Sequence, residues 1–158
     1  MTQRSLQATL TSPEKTAAWA AALGARLDAG DVILLTGDIG AGKTHFSRSL
    51  IQHRLGYAED VPSPTFTLVQ TYEAGDIEIW HADLYRLTTP DEVVELGLTE
   101  AFETAICLVE WPDRLAELAP ENALMITLKM CDTPGERALS LQWRDPKWHE
   151  ILKDLPLE

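Results

Sequence analysis

A glycine-rich loop between an apolar run and a helix-forming segment is the feature that most constrains how this chain folds. Residues 37–44, GDIGAGKT, match the G-x-x-x-x-G-K-[ST] phosphate-loop pattern at every required position. The run VILLT at residues 32–36 predicts a buried strand before the loop, and residues 44–55, closed by Gly56, predict a helix after it. This strand, loop and helix together predict a site for a nucleoside triphosphate.

Each residue type in the loop has a physical role in that prediction. Glycines let backbone amides approach phosphate oxygens, and the positive end of the following helix strengthens the anion site. Lys43 would place its ammonium group on the β and γ phosphates, and the Thr44 hydroxyl would supply one ligand to Mg²⁺. We therefore expect these residues to contact the nucleotide: Asp38, Ile39, Gly40, Ala41, Gly42, Lys43 and Thr44.

A carboxylate at the end of a buried strand is the usual second partner of the metal ion in a phosphate-loop protein. Glu110 follows the apolar run at residues 105–109 and fits that place best. Asp83 ends a run that alternates polar and apolar residues, so it is either a second site acid or a solvent-facing acid on a half-buried strand. The sequence favours Thr44 and Glu110 as the pair that holds Mg²⁺.

Three further sets of residues have open alternatives. Thr65, in the proline-containing segment at residues 62–66, either contacts the metal or the attacking water, or belongs to an ordinary loop. Trp111, directly after Glu110, is either a flap over the site or an aromatic cover for the strand end. The histidines lack metal-ligand spacing, so we predict surface or packing roles for all of them: His45, His53, His81 and His149.

Composition bounds the class of protein. A chain of 158 residues with 45% hydrophobic content is long enough for one buried core, and a net charge of −12 disfavours direct contact with a nucleic acid backbone. Cys107 and Cys131 are far apart and lack zinc-site spacing, which is typical of a reduced protein. We find no basic leader and no apolar run of about 20 residues, so we expect a cytoplasmic protein.

Along the rest of the chain, helical and strand patterns alternate. This order predicts one α/β domain over residues 1–158, with a mainly parallel central sheet, an antiparallel extension and flanking helices. The other predicted elements are a helix from Ser12-Pro13 to about Leu27, a hairpin of residues 65–72 and 77–83, short helices at 90–96 and 99–103, late strands at 123–129 and 138–143, and a helix after Asp145-Pro146.

Four segments in this order resemble the bacterial TsaE family, small ATPases of the pathway that makes threonylcarbamoyladenosine next to the tRNA anticodon. They are residues 37–44, the run SPTFTLV at 63–69, the run HADLYRL at 81–87 and the run ICLVEWP at 106–112. The phosphate loop alone is generic, whereas the ordered set is specific.

The resemblance implies a protein that binds ATP and Mg²⁺, hydrolyses ATP slowly alone, and acts with a heterodimer of the TsaB-TsaD type. The TsaD-type partner would carry the transfer chemistry, and tRNA would be contacted only through the complex. By similarity, Thr44 and Glu110 would be the metal pair, Asp83 and Lys43 would be needed for hydrolysis, and Thr65 would be a switch-like threonine. The implied nucleotide pocket also includes Trp111, Lys15, Thr16, Arg137 and His45, which stands where the family usually has threonine.

Two other functions compete with an ATPase that drives a tRNA-modifying complex. One is a switch, in which ATP binding alone creates a docking surface for the partner. The other is a small-molecule kinase, which would need a basic lid rich in arginine. Arginines are sparse and scattered here, so the kinase is the weakest of the three hypotheses.

Overall fold

The structure is a computed structural model that describes residues 3–38, 40–56, 60–62, 64, 67–153 and 155. Strands and helices alternate along most of this length, as the sequence predicts. The elements are β1 (Arg4–Leu10), α1 (Pro13–Gly24), β2 (Val32–Thr36), α2 (Lys43–Leu55), β3 (Val69–Ala74), β4 (Ile77–Asp83), α3 (Asp91–Glu95), α4 (Leu98–Thr104), β5 (Ile106–Glu110), a 3₁₀ segment (Pro112–Leu118), β6 (Leu124–Met130), β7 (Arg137–Trp143) and α5 (Lys147–Leu152).

In the part of the chain that is described, the strands form one seven-stranded sheet in the order β1-β7-β6-β2-β5-β4-β3. The four central strands β6, β2, β5 and β4 are mutually parallel, whereas β3 pairs antiparallel with β4 at one side and β7 and β1 add antiparallel strands at the other. The predicted α/β class with a parallel central sheet is therefore confirmed. Antiparallel strands extend that sheet at both edges.

Hydrophobic cores lie on both faces of the sheet. On one face, α1, α2 and α5 pack through Trp19, Phe46 and Trp148, each fully buried. On the other face, α3 and α4 cover the strands, with Val93 and Phe102 among the buried side chains. Strands β2 and β5 are covered on both faces, which explains why their sequences are continuously apolar. No helix among the described residues is long and apolar enough to cross a membrane.

The first helix begins as predicted but ends earlier. Ser12 caps α1 by accepting a hydrogen bond from the Lys15 amide at 3.1 Å. The helix stops at Gly24 rather than Leu27, because the next backbone bonds run from Arg26 to Leu23 and from Leu27 to Gly24, which tightens the chain into a turn. Gly24 also allows α1 and α2 to pack closely, since a Cβ atom there would lie 2.6 Å from the Leu50 side chain.

Three further elements differ from the sequence prediction. Strand β1 and the 3₁₀ segment were not predicted at all. The first hairpin strand begins at Val69 rather than near residue 65, because Leu68 has a φ of +69°, which a strand cannot accommodate. Residues 65 and 66 lie outside the described residues.

Candidate functional site

The candidate site lies where the parallel strands β2, β5 and β4 end at one edge of the sheet. In the register of these strands, Leu35 faces Glu110 across the β2–β5 pair, and Asp83 faces Glu110 across the β4–β5 pair. The glycine-rich loop leaves the same end of β2 and leads into α2. The fold therefore brings the loop and the two predicted acids together, as parallel neighbours require.

The loop backbone is shaped by two glycines and held by an arginine from β7. Gly37 has no room for a side chain, since a Cβ atom would lie 2.6 Å from the carbonyl oxygen of Leu128. Gly42 has a φ of +102° and immediately precedes α2, a left-handed conformation that glycine favours. Arg137 donates from Nε to the Ala41 carbonyl at 2.8 Å and from Nη2 to the Gly40 carbonyl at 3.4 Å. Ile39, also predicted to contact the nucleotide, lies outside the described residues.

Thr44 and Glu110, the predicted metal pair, are in direct contact. The Thr44 hydroxyl lies 3.2 Å from Oε1 and 3.3 Å from Oε2 of Glu110, so it donates to the carboxylate at nearly equal distances. Glu110 ends β5 and is only 2% exposed. A hydroxyl and a carboxylate, both suited to a hard cation, thus meet at the start of α2.

Asp83 is buried beside Glu110 rather than exposed to solvent. It is 5% exposed, which corrects the expectation of a half-buried strand at this point. Its Oδ1 accepts a hydrogen bond from the Tyr85 amide at 3.0 Å, and its own amide donates to the Leu68 carbonyl at 2.9 Å. The strand alternates at its start, but its last three residues, 81–83, are all buried.

His81 contacts Glu110 at the candidate site, a contact that the sequence analysis did not predict. It is fully buried, and its Nε2 lies 2.6 Å from Oε2 of Glu110. The prediction of a surface or packing role is consistent with this burial but did not include the contact with Glu110, because it rested on metal-ligand spacing alone. One signal was available: His81 and Asp83 are two residues apart in a strand and therefore lie on the same face. Two other histidines for which we predicted surface or packing roles, His53 and His149, are exposed.

Lys43, the first residue of α2, is buried at the centre of the site. Its ammonium group donates to the carbonyl of Gly37 and lies 3.6 Å from the centroid of the Trp111 ring. Trp111 itself has a φ of +58° and packs against Tyr85, with ring centroids 4.8 Å apart. Trp111 therefore covers Lys43 as well as the end of β5, and a cation–π contact links the two side chains.

The charge on Lys43 is opposed by its burial. Burial lowers the pKa of Lys43 below its usual value of 10.5, and the nearby carboxylates of Glu110, Asp83, Asp38 and Asp113 offset only part of that effect. An additional anionic partner would stabilise this ammonium group, because burial has removed much of its water and a charge-assisted hydrogen bond is strong. The site is therefore prepared electrostatically for a phosphate group.

A cavity of about 270 Å³ lies beside the loop, on the side facing α1. Thr16 is buried in its wall and donates to the Ser12 carbonyl at 3.3 Å, and the His45 Nε2 donates to the Pro13 carbonyl at 3.0 Å. Lys15 is exposed on the same helix. The residues lining the cavity are Pro13, Thr16, Gly40, Ala41, Gly42, His45, Gly135 and Arg137. The structure thus brings the predicted pocket residues Thr16, His45 and Arg137 to one cavity next to the phosphate loop.

Two predictions about this site cannot be placed on the described geometry. Thr65, the predicted switch-like threonine, lies outside the described residues. Within the described part of the chain, no group of three or more histidine, cysteine, aspartate or glutamate residues is arranged to hold a metal. A magnesium ion in a phosphate-loop site does not need such a cage, because it keeps several waters and binds substrate phosphates.

Comparisons with known proteins agree with this geometry. The family model described as "Threonylcarbamoyl adenosine biosynthesis protein TsaE" matches residues 10–139. The tRNA threonylcarbamoyladenosine biosynthesis protein TsaE of Rickettsia bellii is 41% identical over 126 residues, covering 80% of this chain and 88% of that protein. The TsaE protein of Bacillus subtilis is 41% identical over 119 residues, covering 75% of this chain and 73% of that protein.

The fold also matches a solved structure over nearly its whole length. The crystal structure of Bacillus subtilis YdiB superposes with a TM-score of 0.81 at 30% identity, and the match covers 98% of this chain and 96% of that one. A family match over most of the chain, relatives at this level of identity and a phosphate loop with its two acids in place lead to one conclusion. The chain belongs to the TsaE family.

Proposed function

We propose that this protein is the ATP-binding and ATP-hydrolysing component of the cytoplasmic machinery that makes threonylcarbamoyladenosine in tRNA. The observation that carries the proposal is the meeting of Lys43, Thr44, Glu110 and Asp83 at the carboxyl ends of β2, β5 and β4. Membership of the TsaE family supports the biosynthetic role. The partner that we propose is a heterodimer of the TsaB-TsaD type, as the family resemblance implies.

Phosphate binding is the best supported step. The backbone amides of the loop and the positive end of α2 would attract the phosphates, and Lys43 would add a full positive charge. The Lys43 ammonium now donates to the Gly37 carbonyl, and a bound phosphate oxygen would replace or join that partner. Because the ammonium is already desolvated, the exchange costs little further desolvation and gains a charge-assisted hydrogen bond.

The residues at the start of α2 fit a magnesium ion. Thr44 and Glu110 would hold it, since hydroxyl and carboxylate oxygens are the ligands that this ion prefers and the two side chains already touch. When bound, the ion would neutralise charge on the phosphates and so favour departure of the γ-phosphoryl group. Glu110 supplies the negative charge that offsets the cation.

Asp83 is proposed to orient the attacking water. It lies beside Glu110 across the β4–β5 pair, and the Tyr85 amide fixes one of its oxygens. A buried carboxylate held in this way can accept a hydrogen bond from water and direct the water oxygen toward the γ-phosphorus. We propose that Thr65 acts with it, and that Trp111 flanks the phosphates, since it already lies over Lys43.

The nucleoside part of ATP is proposed to occupy the cavity beside the loop. Thr16 and His45 lie in its wall, with Lys15 nearby on α1. Arg137 joins the cavity to the loop carbonyls and would add positive charge near the phosphates. These residues define the adenosine side of the proposed site.

The test is ATP turnover in the presence and absence of the purified partner heterodimer, with Mg²⁺ present. We expect multiple turnovers that are slow for the isolated protein and faster with the partners. If ATP binds tightly and supports partner docking, yet no turnover occurs with the partners, the protein is a nucleotide-dependent switch instead. A matched reaction without Mg²⁺ shows whether the turnover depends on the metal.

Direct binding of tRNA is not expected of the isolated protein. Its net charge of −12 opposes contact with a polyanion, because the affinity of a protein for a nucleic acid backbone depends on clustered lysine and arginine side chains. At physiological salt we expect affinity weaker than about 10⁻⁶ M, no better than ordinary nonspecific binding. Tighter binding in a mobility assay without partners would contradict the proposal that tRNA is contacted through the complex.

A further inference from the structure

His81 holds Glu110 in a contact that the proposed chemistry does not by itself explain. The His81 Nε2 lies 2.6 Å from Oε2 of Glu110, and the imidazole is fully buried. An ionised carboxylate can only accept hydrogen bonds, so Nε2 carries the proton and donates it. Glu110 is therefore held from two sides, by His81 at Oε2 and by the Thr44 hydroxyl at both oxygens.

This arrangement restricts a side chain that would otherwise be free to turn. Glutamate has three rotatable side-chain bonds, and Glu110 sits at the last position of β5, beyond which the chain leaves the sheet. A donor on Oε2 prevents the carboxylate from rotating away from Thr44. Both carboxylate oxygens then stay within 3.3 Å of the Thr44 hydroxyl before any ligand arrives.

Packing alone does not account for the histidine. Its other ring nitrogen, Nδ1, is buried without a hydrogen-bond partner among the described residues, a state that costs free energy. Ile79 lies two residues before His81 on β4 and therefore on the same face, where its apolar side chain belongs to the core. A leucine at position 81 would fill similar space without the buried polar atom, so the fold retains a histidine here at some cost.

We propose that His81 is a positioning residue that presets the Glu110 carboxylate for the metal and nucleotide site. It acts through Glu110 and touches neither the nucleotide nor the reacting water. This inference rests on the proposed function for its consequence, because a preset carboxylate matters only where Glu110 holds Mg²⁺. The geometric part, that His81 fixes the orientation of Glu110, is independent of it.

Two substitutions separate the hydrogen bond from the packing. His81→Leu removes the donor and keeps an apolar side chain of similar size, whereas His81→Gln places an amide N–H near the position of Nε2. His53→Gln, at an exposed position of α2, is the matched control. If His81→Leu does not fold, His81→Met, which is flexible and apolar, takes its place.

The first measurement is the crystal structure of each ligand-free variant. We expect Glu110 to leave Thr44 in His81→Leu and to keep its place in His81→Gln. The second is calorimetric titration of the nucleotide across a range of Mg²⁺ concentrations. His81→Leu should need about 10–100 times more Mg²⁺ than the wild type for the same gain in ATP affinity, as is typical when a residue that orients a metal ligand is lost. Without Mg²⁺, its affinity for ATP should equal that of the wild type. His81→Gln should recover most of the loss.

Two outcomes would overturn the inference. One is a Glu110 that keeps its contact with Thr44 and a normal Mg²⁺ dependence in His81→Leu. The other is an equal loss in His81→Leu and His81→Gln, which would mean that the imidazole acts through its shape. An absence of Mg²⁺-dependent ATP turnover in the wild type with its partners would instead refute the proposed function, and the crystal structures would still decide whether His81 positions Glu110.

Discussion

The strand pair β4–β5 and the strand pair β6–β7 lie in the same sheet and differ in what they bury. Within the described residues, the buried ionisable side chains on strands, apart from Cys107, are His81, Asp83 and Glu110, all on β4 and β5. The buried positions of β6 and β7 are apolar: Leu124, Ile126, Leu128, Leu139, Leu141 and Trp143. The first pair supplies the buried ionisable groups of the candidate site, whereas the second supplies apolar side chains to the core and, from the first residue of β7, the Arg137 contact with the loop.

Strand direction places the acids of β4 and β5 at the site. Both strands run parallel to β2, so their carboxyl ends meet at one edge beside the loop that follows β2. Strand β6 also runs parallel to β2 and ends at that edge, but its buried positions are apolar, and β7 runs antiparallel to it. The interior of β5 strongly opposes charge, since burial raises the pKa of Cys107 to about 12. Glu110, three residues further along, is held by its contacts with Thr44 and His81, and we expect it to be more important for chemistry than for stability.

The largest effect on turnover should come from Glu110→Gln. The substitution keeps the size and hydrogen-bonding ability of the side chain but removes the charge that offsets the metal, so ATP turnover should fall by more than about 100-fold. ATP binding should survive with a weaker dependence on Mg²⁺. Turnover of the variant and the wild type across a Mg²⁺ titration, with partners present, measures this. If Glu110→Gln kept the turnover and the Mg²⁺ dependence of the wild type, Glu110 would not hold the metal.

Lys43→Ala should weaken ATP binding by about 100-fold, because it removes a charge-assisted hydrogen bond to the phosphates. Equilibrium titration with ATP tests this, and unchanged affinity would contradict the phosphate-loop assignment. The fold should persist. Because the lowered pKa of Lys43 means that the unfolded chain binds this proton more tightly, the stability of the wild type relative to Lys43→Ala should rise as pH increases toward 10.5.

Asp83→Asn should reduce turnover by about 100-fold, the lower end of the range for a residue that takes part in proton transfer. Its Mg²⁺ dependence should change less than that of Glu110→Gln, since Asp83 is proposed to orient water rather than to hold the ion. The two variants are compared in the same titration. If Asp83→Asn loses metal dependence and Glu110→Gln keeps it, the roles of the two carboxylates are reversed.

The smallest effect on turnover should come from Leu141→Ala on β7. Leu141 is 1% exposed, so its truncation should lower the free energy of unfolding by about 2–5 kcal/mol, yet turnover per folded molecule should remain near the wild-type value. Leu108→Ala on β5, where the side chain is also fully buried, is the matched variant. It lies opposite His81 in the register and should lower both stability and turnover.

Chemical denaturation and turnover measured on the same samples distinguish these two leucines. The comparison between the strand pairs predicts that only Leu108→Ala shifts the Mg²⁺ dependence, because it loosens the support behind His81 and Glu110. Equal turnover in the two variants would show that Leu108 on β5 supports the site no more than Leu141 on β7 does. A large loss in Leu141→Ala would show that the core on β7 supports the site as strongly.

Much of the fold could be predicted from local sequence. The strand before the phosphate loop and the helix after it were found because apolar runs, glycines and caps act within a few residues of each other. Strand β1 was missed because its residues from Arg4 to Gln7 are all exposed and mix polar with apolar types. It is an edge strand that exists through its pairing with β7, and no local pattern reports such pairing.

By itself, the sequence determined which chemical groups this protein has for its proposed chemistry: a phosphate-loop pattern, a hydroxyl in Thr44 that we propose binds the metal, and an acid at the end of an apolar strand in Glu110. Only the tertiary structure decided that Asp83 is buried, that Arg137 reaches the loop from β7, and that His81 donates to Glu110. The physical reason is the register between strands distant in the chain. A contact between β4 and β5 depends on how those strands align in the sheet, and that alignment is set by the packing of the whole core.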